Sequence, residues 1–488
     1  MAARTLPQSR PWWSHASILT VGSLLFSVPA TSQATDEPSG HLCSDAAQAV
    51  ATDHRGRILV AGTAYDNRVL EWPAGHAHYG DLAISRLYHS GRRDRKFGDR
   101  GTVIVDLDDF DDAHEIVVGR HTVDVIGTTS GQDGATPGPA DIVVLRLDHR
   151  GRGKKSFGYK GLATFDLGGS ESIADAARAR KGGLYVAGSS AGPDGAVGFV
   201  AKIGPRGKLV RGFGDNGVFT FDTGSPDDRV LGIKPVRDGI IVGAQTSEEG
   251  VATAVAFKIS HRGRMVHCYG EDAGMSTVSV GGSLGFAGTA FHNRAGAMAV
   301  SLMTYQDDGA AVASTVLFDE YGHVLEGPDG PAFSLDIPGG AYDAPTAGGF
   351  WWGETLFLAG ATYPVDFATG DAFITRVDES GVVDESFGGG IVTEHLELEY
   401  AAFNDLALGR RSGVLAAGWE FSEGDETLPL ADALLVRYRN DGSLDPRFGR
   451  GTGVVLHDFN HGREVCGPVE RIAVGDDDDH DDHDDHDH

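Results

Sequence analysis

Short apolar runs recur along the chain and are separated by turns rich in glycine. The first complete set is AAQAVATD (46–53), GRILVAG (56–62), LAISRL (82–87) and TVIVDL (102–107). Runs of this length, rich in Val, Ile and Leu and bounded by Gly or Asp, are typical of β-strands. We therefore predict four strands here, the first two joined by a turn at residues 54–56.

The four-strand set returns with a period of about sixty residues. Its clearest marker is an aromatic residue followed by glycine, at Phe97, Phe157, Phe213, Tyr269, Phe387 and Phe448. The interval between Tyr269 and Phe387 is twice the others, so we expect a degenerate copy without the aromatic around Pro328. A glycine precedes each copy by six residues, at Gly91, Gly151, Gly207, Gly263, Gly322, Gly381 and Gly442. Such regularity predicts an array of like units that bury their faces against one another.

A basic residue stands five positions before most of these glycines, at Arg86, Arg146, Lys202, Lys258, Arg376 and Arg437, with Leu317 in the fifth copy. The fourth strand carries acids at Asp106, Asp166, Asp222, Asp336 and Asp458. Adjacent strands bring such side chains together. We therefore predict structural ion pairs rather than a ring of substrate-binding cations. The predicted pairs are Arg86–Asp106, Arg146–Asp166 and Arg437–Asp458.

The fold that suits this pattern is an all-β, seven-bladed β-propeller with four strands in each blade. Four strands per repeat are expected of a propeller blade, whereas solenoid coils usually have shorter periods. The seven copies place the propeller at residues 43–460, with a closing segment and tail at 461–488.

Three copies of the marker region are the most complete: HSGRRDRKFG (89–98), ESGVVDESFG (379–388) and NDGSLDPRFG (440–449). In this pattern the chain resembles the delta-60 repeat family of bacterial β-propeller proteins. Three middle copies depart from it, because Lys154, Val210 and Val266 replace the aspartate. The resemblance implies the fold and little about activity.

The N-terminal residues are typical of a secretory signal peptide. Arg4 and Arg10 precede an apolar run at 18–28, and Ser32 and Ala34 occupy the −3 and −1 positions of a cleavage site. The predicted signal peptide is 1–34, with cleavage after Ala30 as an alternative. We expect a protein that is secreted or periplasmic and that inserts no segment into a membrane.

The amino-acid composition bears mainly on which partners the protein can bind. The formal charge of −29 excludes the basic surface that nucleic acids require. The 70 glycines among 488 residues fit many short strands and tight turns. We expect a monomer that requires no cofactor and that binds a protein or a carbohydrate.

The C-terminal sequence DDDDHDDHDDHDH (476–488) is too polar to form a core and is predicted to be disordered. Its imidazoles and carboxylates are ligands for Zn²⁺, Ni²⁺ or Cu²⁺. The candidate metal ligands are His480, His483, His486, His488, Asp479, Asp482 and Asp485. The alternative is a solubilising tail that binds no metal.

The chain contains three cysteines, Cys43, Cys268 and Cys466. Cys43 precedes the first strand of the first blade, and Cys466 follows the last strand of the seventh. A closed propeller makes these points neighbours, so we predict a Cys43–Cys466 disulfide in an oxidising compartment. The alternative is three free, buried thiols.

Two further segments attract attention. Trp351 and Trp352 lie on a turn of the sixth copy and are candidates for stacking on a sugar or a partner, although packing between blades is the alternative. The cluster Asp106, Asp108, Asp109, Asp111 and Asp112 has the oxygens that calcium prefers, but it lacks an EF-hand pattern. We expect it to be a solvated loop.

The sequence contains no recognisable catalytic motif, including GxSxG, HExxH, a Walker loop or CxxC. A binding or interaction scaffold is therefore the favoured function. One alternative is a propeller lyase or hydrolase that acts on an extracellular polymer. It requires non-repeated His, Arg, Tyr or acidic side chains at one mouth of the channel. The other alternative is a metal-scavenging protein whose function resides in the tail.

Overall fold

The computed structural model describes residues 45–65, 80–107, 110–133, 136–306, 308–327, 330–350, 355–367, 369–378, 380–394, 400–409, 413–422 and 430–459. The predicted signal peptide, Cys43, Trp351, Trp352, Cys466 and the Asp/His tail lie outside this part of the chain. Within it, no helix has the length and apolarity needed to cross a membrane.

The first four strands form one antiparallel sheet in chain order, as the sequence pattern predicts. They are β1 (Asp45–Thr52), β2 (Ile58–Tyr65), β3 (Gly80–Leu87) and β4 (Thr102–Val105). Each predicted apolar run lies on one of these strands. We call such a four-stranded sheet a unit.

The next units repeat this order. The second contains β5 (Phe110–Val118), β6 (Thr122–Asp133), β7 (Thr136–Asp148) and β8 (Leu162–Phe165). The third contains β9 (Ser170–Arg178), β10 (Leu184–Gly192), β11 (Gly195–Ile203) and β12 (Val218–Phe221). The fourth contains β13 (Arg229–Pro235), β14 (Gly239–Glu248), β15 (Val251–Ser260) and β16 (Met275–Ser279).

The remaining units complete the described chain. The fifth contains β17 (Ser283–His292), β18 (Met298–Tyr305), β19 (Ala311–Phe318), β20 (Val324–Leu325) and β21 (Ala332–Leu335). The sixth contains β22 (Tyr342–Phe350), β23 (Leu356–Tyr363), β24 (Asp371–Val377) and β25 (Ile391–Glu394). The last contains β26 (Tyr400–Gly409), β27 (Gly413–Ser422), β28 (Leu430–Tyr438) and β29 (Val454–His457). A single parallel bridge, Ala311 to Tyr342, joins the fifth and sixth sheets.

The fifth unit lacks the aromatic marker in sequence but not in space. At three other junctions the marker ring packs on the turn glycine of the following unit; for example, a Cβ on Gly322 would lie 2.5 Å from Cε1 of Tyr269. The corresponding contact of Gly381 is made by Phe333 on β21, whose Cγ would lie 2.3 Å from that Cβ. The fifth copy therefore fills the marker position from its fourth strand.

Each first strand carries an irregularity near its middle, where the pairing register shifts. In β1 the shift lies between Ala47 and Ala49. The neighbouring glycine explains why apolar runs such as ILVAG end in a small residue. A Cβ on Gly62 would lie 1.8 Å from the carbonyl oxygen of Ala46. Only glycine allows the bulged backbone to approach so closely.

The units follow one another in a cycle. Each first strand contacts the first strand of the next unit, and β26 of the last unit contacts β1 of the first. An apolar cluster fills the junction between the last and first units, and its buried members include Val50, Ala417, Leu435, Phe448 and Phe459. Four-stranded antiparallel sheets arranged in a cycle around their first strands are a β-propeller.

A backbone hydrogen bond repeats at the junctions between units. The N–H of the marker glycine donates to the carbonyl that precedes the turn glycine of the following unit, as in Gly98 N to Arg150 O at 2.9 Å. At the junction of last and first units, Gly449 N donates to Ser90 O at 3.3 Å. The last and first units are therefore joined by the same backbone hydrogen bond that joins successive units.

Candidate functional site

The repeated basic residue is structural, as predicted, but its partners differ from those predicted. The guanidinium of Arg86 lies 4.6 Å from the ring centroid of Phe97. Its Nε donates to Asp94 at 3.0 Å, and its Nη1 donates to the carbonyl of His149 in the next unit at 2.5 Å. Arg86 is buried and joins its own marker to the neighbouring unit.

The same arrangement recurs in other units. Arg376 pairs with Asp384 at 2.7 Å and donates to Asn440 O at 2.7 Å. Where the motif aspartate is absent, another acid replaces it: Nε of Arg146 donates to Asp124. Stacking on the marker ring is found for Arg86, Arg146, Lys202, Arg376 and Arg437.

The predicted pairs Arg86–Asp106, Arg146–Asp166 and Arg437–Asp458 are wrong because of the strand register. Leu82 pairs with Val105 and Ser85 with Thr102, so Asp106 lies at the opposite end of the sheet from Arg86. The registers of the second and last units place Asp166 and Asp458 in the same way. The fourth-strand acids therefore lie at the rim opposite the marker turns.

At this rim, acids at the start of one unit accept hydrogen bonds from the backbone of the preceding unit. Asp111 accepts the N–H of Leu107 at 2.8 Å, and Asp343 accepts that of Ile337 at 2.9 Å. In both cases an acid at the start of a unit binds the backbone just after the fourth strand of the preceding one. Asp111 and Asp112 are buried at the start of β5. The expectation of a solvated loop is therefore wrong for these two residues, while 108–109 lie outside the described chain.

One junction brings three carboxylates close enough to share an ion. Oxygens of Asp141, Asp166 and Glu171 all lie within 4.8 Å of one another. Burial raises the pKa of Glu171, and it also raises that of Asp141, with a further contribution from Asp166. Glu171 accepts a hydrogen bond from Oγ of Ser190 at 2.8 Å, so its carboxylate already has a structural role.

A different set of acids breaks the repeat and lies on the first strands. Where pairing resumes after the irregularity, three units carry Glu115, Asp175 and Asp405. At the position with the corresponding second-strand partner, the others carry small uncharged residues, namely Ala49, Gly232, Thr289 and Ala347. We call Glu115, Asp175 and Asp405 the carboxylate belt.

Backbone N–H groups hold the belt in place. Asp405 accepts from Leu406 and, across the junction of last and first units, from Val50, both at 2.7 Å. Asp175 accepts from Ile233 of the following unit at 2.7 Å. Glu115 accepts from Ile116 at 2.8 Å. All three side chains are half-buried.

The belt carboxylates influence one another electrostatically. Burial raises the pKa of Glu115 well above its usual range, and the charges of Asp405 and Asp175 raise it further. Burial also raises the pKa of Asp175 to about 7 and that of Asp405 to about 6. Asp405 and Glu115 belong to units separated by the first unit. The effect of Asp405 on Glu115 therefore acts between units that are not direct neighbours.

Cationic and imidazole side chains lie beside the belt. Burial lowers the pKa of Lys234 on β13, the charge of Asp175 opposes this shift, and that of Arg294 adds to it. Burial and then the charge of Lys234 lower the pKa of His292 to about 4, so this imidazole is neutral at physiological pH. The site thus combines carboxylates that titrate near neutrality with an amine and a neutral imidazole, which is a set suited to polar ligands and to proton transfer.

The site residues predicted from sequence are not among those that the structure describes. Trp351, Trp352, the tail ligands and the predicted Cys43–Cys466 disulfide all lie outside the described residues. Cys268, the described cysteine, is free and exposed, contrary to the alternative of three buried thiols. The signal that could have found the belt was present, because Glu115, Asp175 and Asp405 each follow the first-strand bulge. Their alignment requires the position of that bulge, which the sequence does not mark.

No family model matches the sequence, and no curated protein matches it. Several solved structures resemble it at low identity. The β-propeller domain of the Trilobed protease from Pyrococcus furiosus is 8% identical, with a TM-score of 0.41 over 80% of this chain and 93% of that one. Drosophila Semaphorin 2a is 8% identical, with a TM-score of 0.40 over 78% and 73%. An ulvan lyase from a new family of polysaccharide lyases is 10% identical, with a TM-score of 0.37 over 81% and 95%. These likenesses carry no argument about function.

Proposed function

We propose that this protein is a seven-bladed, closed β-propeller of the delta-60 repeat type that is exported and acts as a binding scaffold. Each unit is one blade in this proposal, and residues 1–34 direct export. The hydrogen bonds from Gly449 to Ser90 and from Phe459 to Asp45 support closure of the ring. The ligand, a protein or a carbohydrate, binds at the central channel.

The observation that carries this proposal is the carboxylate belt. Side chains that repeat from unit to unit, such as Arg86 and Arg376, are explained by packing. Glu115, Asp175 and Asp405 do not repeat, and the equivalent positions carry the uncharged residues Ala, Gly or Thr. Acids gathered at one level of a channel and adjoined by Lys234 provide acceptors and a donor for a polar chain that passes through or docks there.

A binding panel tests the proposal. Immobilised polymers of three charge classes, namely a cationic, a neutral and an anionic polysaccharide, are probed with the full-length protein. We expect saturable binding to one class and a loss of at least tenfold in the Glu115→Gln/Asp175→Asn variant. Asp166→Asn and Asp222→Asn together make the same change in charge at the outer rim and should leave binding intact. Equal losses in both double variants would contradict a channel site.

A second candidate is a propeller enzyme that cleaves an extracellular polymer. It is favoured by the pKa of Asp175 at about 7, which suits a general base, and by the neighbouring Lys234. Incubation with the same polymers, followed by assays for new reducing ends and for unsaturated products, separates the two candidates. Product formation that Asp175→Asn abolishes would replace the scaffold by an enzyme. Binding without product would retain the scaffold.

The Asp/His tail adds a proposed metal-binding function. Its sequence offers four imidazoles within nine residues, His480 to His488, and loose binding of Zn²⁺ or Ni²⁺ is what such spacing allows. Calorimetric titration of either metal into the full chain and into a chain ending at Gly475 tests this. Binding is expected to the full chain alone. Equal binding by both would move the metal site to the propeller and leave the tail as a solubilising segment.

A further inference from the structure

Five aromatic residues gather at one rim of the fifth, sixth and last units. They are Tyr305 at the end of β18, Tyr342 and Tyr363 at paired ends of β22 and β23, Phe367 in the following loop, and Tyr400 at the start of β26. We call them the aromatic patch. It lies at the strand ends, whereas the carboxylate belt lies at the mid-strand bulges, so the two sites are separate.

The rings of the patch contact one another. Phe367 stacks on Tyr342 with ring centroids 4.5 Å apart and an interplanar angle of 21°. Tyr363 lies on its other flank at 5.8 Å, and Tyr305 meets Tyr342 edge-on at 6.5 Å. The hydroxyl of Tyr400 donates to the carbonyl of Phe367 at 2.8 Å and fixes the loop. Phe367 is therefore held by two ring contacts and one hydrogen bond to its backbone carbonyl.

The position of Phe367 is not explained by burial. Its side chain is 37% exposed, and the neighbouring Val365 is 75% exposed. Its φ of +52° lies in the left-handed region, which a bulky residue rarely occupies. Residues held in such conformations cluster at ligand sites. An exposed ring in a strained conformation is therefore a candidate for contact with a ligand.

The stretch of sequence that contains the patch is strongly acidic. Between Arg294 and Arg410 the sequence has 19 Asp and Glu residues and a single Lys or Arg, Arg376. That arginine lies toward the opposite end of β24 and pairs with Asp384. At the patch itself, the strand register places Asp343 and Asp371 opposite Thr362, next to Tyr363.

We propose that the aromatic patch binds the ammonium group of a cationic ligand, with the exposed ring of Phe367 as the contact surface. Ring faces carry negative electrostatic potential and attract cations, and quaternary ammonium groups are favoured because they are weakly hydrated. The acidic surroundings strengthen this attraction and oppose anionic ligands such as acidic saccharides.

Titration of the full-length protein with choline, followed by calorimetry and by tyrosine fluorescence, tests the proposal. We expect saturable binding. The neutral isostere 3,3-dimethylbutanol should bind at least tenfold more weakly, because it has the same shape without the charge. Butylamine provides the primary-ammonium arm and should bind more weakly than choline but more tightly than the alcohol.

Variants locate the site. Phe367→Ala should lower choline affinity at least tenfold, while Phe367→Tyr should preserve it. Phe367→Gly removes the ring and relieves the left-handed backbone, so it should lose binding without a fall in the thermal midpoint. Tyr321→Ala removes a more exposed aromatic, 63% accessible, near a marker turn and is the matched control. The acidic tail is present in every variant, so differences among them report the patch.

Three results would overturn the proposal. Equal affinity for choline and the alcohol would show a merely apolar surface. Tighter binding of methyl glucoside than of choline would show a saccharide site. Undiminished choline binding by Phe367→Gly would place any ammonium site elsewhere, such as in the belt or the tail.

Discussion

The carboxylate of Asp45 accepts a hydrogen bond from the backbone N–H of Phe459 at 2.8 Å, across 414 residues of sequence. The same bond occurs between Asp111 and Leu107 and between Asp343 and Ile337. In each case the donor lies two residues after a fourth strand, and the acceptor lies at the start of the next first strand. Asp45 thus binds the end of the last unit in the same way that Asp111 and Asp343 bind the end of the unit preceding them in the chain.

Removal of the Asp45 carboxylate should weaken this junction. Asp45 is 1% exposed, and the Asp45→Ala variant leaves the Phe459 N–H buried without its acceptor. We expect a loss of about 1–3 kcal/mol in the free energy of unfolding, measured by denaturant titration. Hydrogen exchange should rise at residues 454–459. Asp111→Ala, at the equivalent junction, is the control and should instead raise hydrogen exchange near Leu107. If Asp111→Ala also raised hydrogen exchange at 454–459, a local role for Asp45 would be contradicted.

The buried arginines should matter more than exposed ones. Arg146 is 5% exposed, pairs with Asp124 and stacks at 4.3 Å on Phe157. Among the described residues, the Arg146→Met variant leaves the buried Asp124 carboxylate with Arg178 as its remaining ion-pair partner. We therefore expect a loss of about 2 kcal/mol in unfolding free energy. Chemical denaturation measures it.

Arg152 provides the matched control for Arg146. Its side chain is 68% exposed, and it pairs with Asp148 at 2.9 Å on the surface. Solvent screens such a pair, so Arg152→Met should cost less than about 1 kcal/mol. Comparable losses in the two variants would show that stacking and burial of the marker arginine contribute little.

The strands, turns and repeat period could be predicted from the sequence because each follows from local pattern. Apolar runs fix strands such as β1 and β2, and glycine followed by a marker ring fixes the turn. The ion pairs could not, because pairing depends on register. Arg86 and Asp106 lie on adjacent strands, yet the register separates them by about five residues. The role of Phe333 could not be predicted either, because this residue fills the marker position of the fifth unit from a different place in the repeat.

The candidate sites were still harder to predict from sequence. Glu115, Asp175 and Asp405 occur in apolar first strands whose other polar residues are unremarkable, and their proximity arises only when the ring brings distant units together. Phe367 follows the same logic, since Tyr342, Tyr363 and Tyr400 come from three different strands. Repeats establish a fold by what recurs, whereas sites such as the belt and the patch are made of what does not recur.

The belt should make stability depend on pH. Burial raises the pKa of Asp175 to about 7 in the folded protein, above its usual value near 4. Between these values the folded state binds more protons than the unfolded state. The contribution of Asp175 to stability is therefore complete below about pH 4 and is lost as the pH rises towards 7. Asp405, with a pKa raised to about 6, acts in the same direction.

Neutral amides at the belt should remove this dependence. Asp175→Asn keeps an oxygen that can accept from Ile233 and cannot ionise. We expect its thermal midpoint to exceed that of the wild type at pH 8 and to match it at pH 4.5. His292, whose pKa is lowered to about 4, acts in the opposite sense and loses stability as the pH falls from 6.5 to 4. A control variant, His292→Gln, should therefore remove only the loss of stability between pH 6.5 and 4. A constant difference between Asp175→Asn and wild type across this range would contradict the belt electrostatics.

Closure of the ring gives the predicted Cys43–Cys466 disulfide a geometric basis. In the sequence, Cys43 lies two residues before Asp45 and Cys466 lies seven residues after Phe459, and a hydrogen bond joins Asp45 to Phe459. A link that closes so long a loop is expected to stabilise by about 6 kcal/mol in the chain-entropy model. Peptide mapping of the protein without reduction should yield a Cys43–Cys466 peptide pair. Alkylation before unfolding should label Cys268, which is exposed.

The Cys43→Ser/Cys466→Ser variant should keep the fold and lower the thermal midpoint. Recovery of a Cys43–Cys268 pair, or labelling of all three thiols, would contradict the disulfide, because only the ends of the chain meet at the junction of Asp45 and Phe459.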